Sequence, residues 1–160
     1  MQLVSCTKSG TQAIPLGEQE LPDMVLYDAQ YTLGRPREGA LVMTARTMTV
    51  YKGAKGTILE GVGFKQSGED GMEGSCETAT IDESGEKATL TGNVTIQRKS
   101  DDLVIKAHSI EWDNETMTLD AKGEVIVEYG DGTQVVAQGF SAVLDEDDFE
   151  FGRIVRGTVK

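Results

Sequence analysis

The sequence predicts an all-β protein, an elongated jellyroll-like stack of two facing antiparallel sheets made from repeats of about 31 residues. Three observations carry that expectation. Apolar and polar residues alternate with a period of two in run after run, the mark of strands with one buried face. From Leu21 onward no segment shows a convincing helical period instead. A small-residue position also recurs along the chain at almost constant spacing.

In chain order, residues 1–20 read as an anchor or tether and residues 21–160 as the domain. Thr7 to Glu20 is polar and carries Gly10, Pro15 and Gly17, a composition that suits a flexible link. Alternation then gives strands around Leu41-x-Met43-x-Ala45, Leu90-x-Gly92-x-Val94-x-Ile96, Leu103-x-Ile105-x-Ala107 and Val125-x-Val127-x-Tyr129. The intervening residues are mostly Thr, Lys, Gln, Glu and Asp, which fit a solvated face. Turn chemistry stands between the runs, at Lys52-Gly53, Asp70-Gly71, Ser84-Gly85, Asp113-Asn114 and Asp131-Gly132. The segment Met24 to Tyr31 and the last strand, Ile154 to Val159, are the expected outer edges.

The repeat sharpens this picture. Ala45, Cys76, Ala107 and Ala137 are 31, 31 and 30 residues apart. Three residues after each stands Met48, Ala79, Ile110 or Phe140, and five after each stands Val50, Ile81, Trp112 or Ala142. Gly61, Gly92 and Gly123 keep the same 31-residue spacing. A step of three between apolar positions, where a strand should step by two, switches the inward face, as a bulge or corner does. Each unit is therefore expected to be two strands joined at a corner, then a turn and a return run.

Composition excludes much chemistry. Asp and Glu number 27 against 15 Lys and Arg, a net charge of −12 that repels phosphate backbones and argues against nucleic acid as a partner. One histidine, His108, and two distant cysteines, Cys6 and Cys76, leave little for a zinc site or a Cys/His nucleophile pair. The expectation is a protein with no enzymatic activity, no cofactor and no metal. No run approaches the roughly 20 apolar residues that span a bilayer as a helix.

The stretch Ala88-Thr-Leu-Thr-Gly-Asn-Val-Thr-Ile-Gln97, then Leu103-Val-Ile-Lys-Ala107 and Ile110-Glu-Trp-Asp113, resembles the lipopolysaccharide-export proteins of the periplasm, the LptC type and the related LptA or OstA-like type. Leu21-Pro-Asp-Met-Val-Leu26 and Phe149-Glu-Phe-Gly-Arg-Ile-Val-Arg-Gly157 are similar to the LptC type in particular. Leu3-Val-Ser-Cys6 resembles the lipobox of bacterial lipoproteins, in which the cysteine is lipidated, although the charged and apolar stretch that precedes a lipobox is missing here.

The resemblance implies a twisted open β-jellyroll, a periplasmic location and lipopolysaccharide as the cargo, its acyl chains held in an apolar interior. It implies an inner-membrane ABC transporter as the source and an LptA-type bridge protein as the acceptor, joined edge to edge. LptC-type members carry an N-terminal transmembrane helix, which this chain lacks; a lipid on Cys6 takes its place as the expected inner-membrane anchor. The expected lining is Met43, Met48, Ile96, Ile105, Ile110, Trp112, Leu119, Val127, Phe140 and Leu144. The expected partner edges are Met24 and Leu26 on one side and Ile154, Val155, Gly157 and Val159 on the other. The same edges allow homo-oligomers.

On periodicity alone an inward apolar stripe is more often a closed sandwich core than a lipid-filled trough; the resemblance reverses that and favours the trough. The alternative is an adaptor that docks envelope partners by edge-strand addition and holds no lipid. His108 lies on the outward parity and Cys76 at the buried small-residue position. Asp145-Glu146-Asp147-Asp148 reads as a charged turn, since it lacks the alternating ligands of a calcium loop. Glu69-Asp70 and Asp101-Asp102 read as turns too. Arg153 and Arg156 suit lipid phosphates or sheet-edge ion pairs equally.

Overall fold

The computed structural model describes residues 21–34, 39–66, 71–143 and 148–158. Nine strands account for most of them: β1 (Met24–Thr32), β2 (Leu41–Val50), β3 (Thr57–Gln66), β4 (Met72–Ile81), β5 (Lys87–Arg98), β6 (Leu103–Asp113), β7 (Thr118–Glu128), β8 (Gln134–Val143) and β9 (Asp148–Thr158). Each pairs antiparallel with its sequence neighbours, so the order across the sheet is the order along the chain. Two single 3-10 turns, Gly53–Lys55 and Lys99–Asp101, serve two of the connections. β-Branched residues explain the strands: Thr78 faces Thr91 and Thr80 faces Thr89, and on the other side Ile96 faces Ile105.

The two expected sheets are two leaves of one sheet. Each strand continues from one leaf into the other, its pairing interrupted near its middle, where every strand bends along a single crease. Arg46, Gly61, Glu77, His108, Gly139 and Gly152 lie on that line in β2, β3, β4, β6, β8 and β9, as the registers on either side of them require. The expected pair of strands joined at a corner is thus one strand that changes its inward parity, from Ala45 to Met48 in β2 and from Ala107 to Ile110 in β6. The return strands bend with extra residues or left-handed backbone. Gly61 has φ +65°, and in β5 both Gly92 (φ +83°) and Asn93 (φ +48°) are left-handed. One residue more on β5 than on β6 is accommodated between Thr91 and Val94. A side chain at position 92 is excluded twice, because its Cβ would also lie 2.7 Å from that of Glu77.

Folding at the crease makes the leaves cover each other. Inward residues of both leaves, from Leu41, Phe64 and Ile105 on one to Leu59, Ile81 and Trp112 on the other, belong to one buried cluster. Among the described residues no other element covers them. Opposite the crease the leaves meet at two rims of turns. There the Gly34 N–H, at the end of one leaf, donates to the Gly85 carbonyl, at the end of the other, over 2.6 Å.

Candidate functional site

Three places answer to the sequence expectations: the interior, the rims and the end strands. The interior comes first. Met43, Met48, Ile96, Ile105, Ile110, Trp112, Leu119, Val127 and Phe140 all point inward and are between 0% and 7% exposed. Leu144 lies outside the described residues, as do Cys6, Val159, Glu69-Asp70 and the acidic run from Asp145 to Asp147. The nine pack with Leu33, Leu59, Phe64, Leu90 and Leu103, which sequence reasoning had not assigned to the lining. The side chains fill the space between the leaves.

Cys76 closes one crease position as the small-residue repeat requires. It is 7% exposed, and burial pushes its thiol up to about 11, while hydrogen bonding with the backbone of Thr91 and Thr78, whose carbonyl accepts from the thiol, acts the other way. A protonated thiol of that kind is a poor nucleophile and a poor ligand. His108 is exposed on the outer side of the same crease. No group of three His, Cys, Asp or Glu among the described residues is arranged to hold a metal ion.

The buried polar residues among those described are Gln66 and Asn114. Gln66 Oε1 accepts the Met72 N–H at 3.3 Å. Trp112 is wholly buried, and its Nε1 has no hydrogen-bond partner among the described residues.

The rims are built from aspartate turns. Asp82 Oδ1 accepts from Ser84 Oγ at 2.7 Å, from the Gly85 N–H at 3.1 Å and from the Lys87 N–H at 3.3 Å. Asp113 Oδ1 takes the N–H groups of Glu115 and Thr116 at 2.9 and 3.1 Å. Desolvation acts to raise the Asp82 carboxyl, but the Ser84 hydroxyl and the turn's N–H groups outweigh it and hold it below its ordinary value. The opposite rim contributes the segment after β1. Leu33 is fully buried there, and Gly34 lies so close to Glu86 and Asn114 that a Cβ would come within 2.7 Å of both side chains. Tyr31 joins the same contact: burial first, then the carboxylates of Asp82 and Glu86, raise its phenol. Leu33 and Gly34 form a clasp that the sequence reading missed, since a connection between strands has no periodicity to read.

The end strands are staggered. Met24 and Leu26 of β1 pair with inward Val50 and Met48, yet they are 48% and 37% exposed. Ala29 and Tyr31, on the other leaf of the same strand, pack against the core. In β9 the order is reversed. Phe151 lies against Phe140 with ring centroids 5.5 Å apart, whereas Ile154, opposite inward Ala137, is 57% exposed. Val155, the residue left over at a bulge, is 55% exposed, and Gly157, Arg153 and Arg156 are exposed with it. The last strand starts earlier than expected, at Asp148, and is paired with β8 along its length; among the described residues its far side has no strand partner. Each end thus leaves one leaf uncovered, and the two ends leave opposite leaves.

A shallow trough of about 830 Å³ also lies on the outer face, over Thr44, Gly63, Ser75 and Thr95. It is on the solvated side of the strands, away from the inward residues just described.

No family model and no curated protein matches the sequence. Among solved structures the chain is similar to LptH from Pseudomonas aeruginosa, described as the LptA-homologous periplasmic component of the lipopolysaccharide transport device. The TM-score is 0.50 at 13% identity, and the match covers 81% of each chain. At that identity the likeness speaks for architecture: the chain has the open, folded-over β-jellyroll of an LptA-like protein.

Proposed function

We propose that this protein carries an acylated envelope lipid, lipopolysaccharide, within its folded sheet, as one link in a periplasmic row of such sheets. The observation that carries the reading is a single open sheet with a continuous apolar interior and, among the described residues, an unpaired strand edge at each end. A closed barrel has no edges and cannot be extended. Here a neighbour's first strand can add to β9, and the uncovered leaf at that end is the complement of the one uncovered at β1. The likeness in fold to a lipopolysaccharide-transport component supports the same reading.

In the finer form of the proposal the chain acts as an LptC-type member. It receives lipid from an inner-membrane ABC transporter and passes it to an LptA-type bridge protein through Ile154, Val155, Gly157 and Val159. Met24 and Leu26 face the transporter side, and a lipid on Cys6 holds the domain to the inner membrane. Burying an acyl chain contributes about 0.8 kcal/mol per CH₂, enough over a long chain to offset parting side chains that now pack on one another. The route in lies at the rims, since the crease is continuous backbone.

Photo-crosslinking tests the proposal. A photoreactive residue at Ile105 or Phe140 should capture lipopolysaccharide, while outward Lys106 should not. Capture at none of the three, in a folded sample, rejects lipid carriage. A second reading, a lipid-free adaptor that docks by its edges, is favoured by the filled interior. Both readings expect loss of partner crosslinking when residues 154–160 are deleted, so the interior crosslink separates them.

A further inference from the structure

Besides the buried amides of Gln66 and Asn114, one polar group is sealed among the apolar residues of this sheet. Trp112 is the penultimate residue of β6, 0% exposed, between Ala88 of β5 and Leu119 of β7, both equally buried. Its indole N–H is a donor with no acceptor among the described residues. Buried tryptophan N–H groups normally find a partner, and leaving one without is costly. Packing does not require the indole. The equivalent positions of the other repeats hold Val50, Ile81 and Ala142, which fill their places with no polar atom at all.

We propose that Trp112 Nε1 is the polar anchor of the interior, donating to an uncharged oxygen at the head of an acyl chain, an ester carbonyl or a 3-hydroxyl. This rests on the lipid-carrying reading above. The placement fits the ligand. Trp112 is one residue from the end of its strand, beside the rim where Asn114 meets Gly34 and the leaves are clasped. A chain entering at that rim brings its oxygen-bearing end there and its methylenes to the core beyond. A phosphate is a poor occupant, because a charge buried beside apolar neighbours lacks its counter-ion. The anchor would distinguish an acyl chain from a plain hydrocarbon of equal length.

The test replaces Trp112 in the full chain by benzothienylalanine, which keeps the two-ring shape and exchanges the N–H for sulfur. Binding of methyl 3-hydroxytetradecanoate and of tetradecane, both delivered from cyclodextrin, is measured by equilibrium partition. Wild type should hold the ester more tightly than the hydrocarbon. The variant should lose about 5-fold on the ester, the worth of one hydrogen bond, and nothing on the hydrocarbon. The free variant should also melt higher than wild type, since it no longer buries an unmet donor. Equal losses on both probes, no loss on the ester, or a lower melting temperature overturns the proposal. If wild type holds tetradecane but the ester no better, the anchor falls and lipid carriage stands; if it holds neither, both fall.

Discussion

The crease and the rims close the same sandwich by opposite means. At the crease every described strand passes from one leaf to the other, so among the described residues the leaves are joined nine times by covalent backbone. At the rims they meet through turns, the 2.6 Å Gly34–Gly85 hydrogen bond and the buried Leu33 side chain. The lesson is directional: any opening that admits a chain parts the rims and leaves the crease in place.

Substitutions at the two places should therefore differ in what they destroy. The largest effect is expected from Gly92→Val. It forces a β-branched side chain into a left-handed backbone and against Glu77, and should lower stability by about 3–4 kcal/mol in chemical denaturation. A variant within 1 kcal/mol of wild type would mean that the crease is not fixed by its backbone. Leu33→Ala should cost about 2–4 kcal/mol and, unlike the crease variant, should raise binding of an apolar dye to the folded protein. Loss of stability with no gain in dye binding would show that the clasp is ordinary core.

Gly123→Ala sharpens the contrast within the crease. The backbone there is also left-handed, φ +80°, but nothing lies within 4 Å of the added Cβ. Only the conformational cost remains, about 1 kcal/mol, and a loss near that of Gly92→Val would refute the steric half of the argument.

The smallest effects are those of pH at the clasp. The Asp82 carboxyl is held down in the fold, so its contribution is complete above the ordinary carboxylate value of 3.8 and disappears as pH falls through the folded value. Asp82→Asn should flatten the acid limb of the stability curve by less than about 1 kcal/mol, the side chain being largely exposed. Tyr31 works in the other direction. Its raised phenol favours the fold fully below 10.0 and stops doing so as pH rises through the folded value. Alkaline absorbance should show one tyrosine ionising late, and Tyr31→Phe should remove that step.

Much of this molecule was legible in the chain. Alternation located β2, β5, β6 and β7, and the aspartate and glycine pairs located turns between strands, because both are local properties of backbone and side chain. The step from Ala45 to Met48, repeated at Cys76, Ala107 and Ala137, marked a corner between strands, and the structure makes that corner a bend within one strand. The inward assignment of Ile105, Phe140 and Trp112 followed from parity alone. Parity has no reach beyond its own strand, however. Leu33, Asn114 and Met117 sit in connections where no period exists, and their burial depends on which connections the folded sheet brings together.

Sequence by itself thus determined the strands, their faces and the line along which they bend, since those depend on neighbours two to five residues apart. Tertiary structure alone decided that the two sheets are leaves of one, that the ends leave opposite leaves bare, and that an indole N–H is sealed in without a partner among the described residues. These are relations between residues tens of positions apart, fixed by twist, closure and packing once the whole sheet has formed.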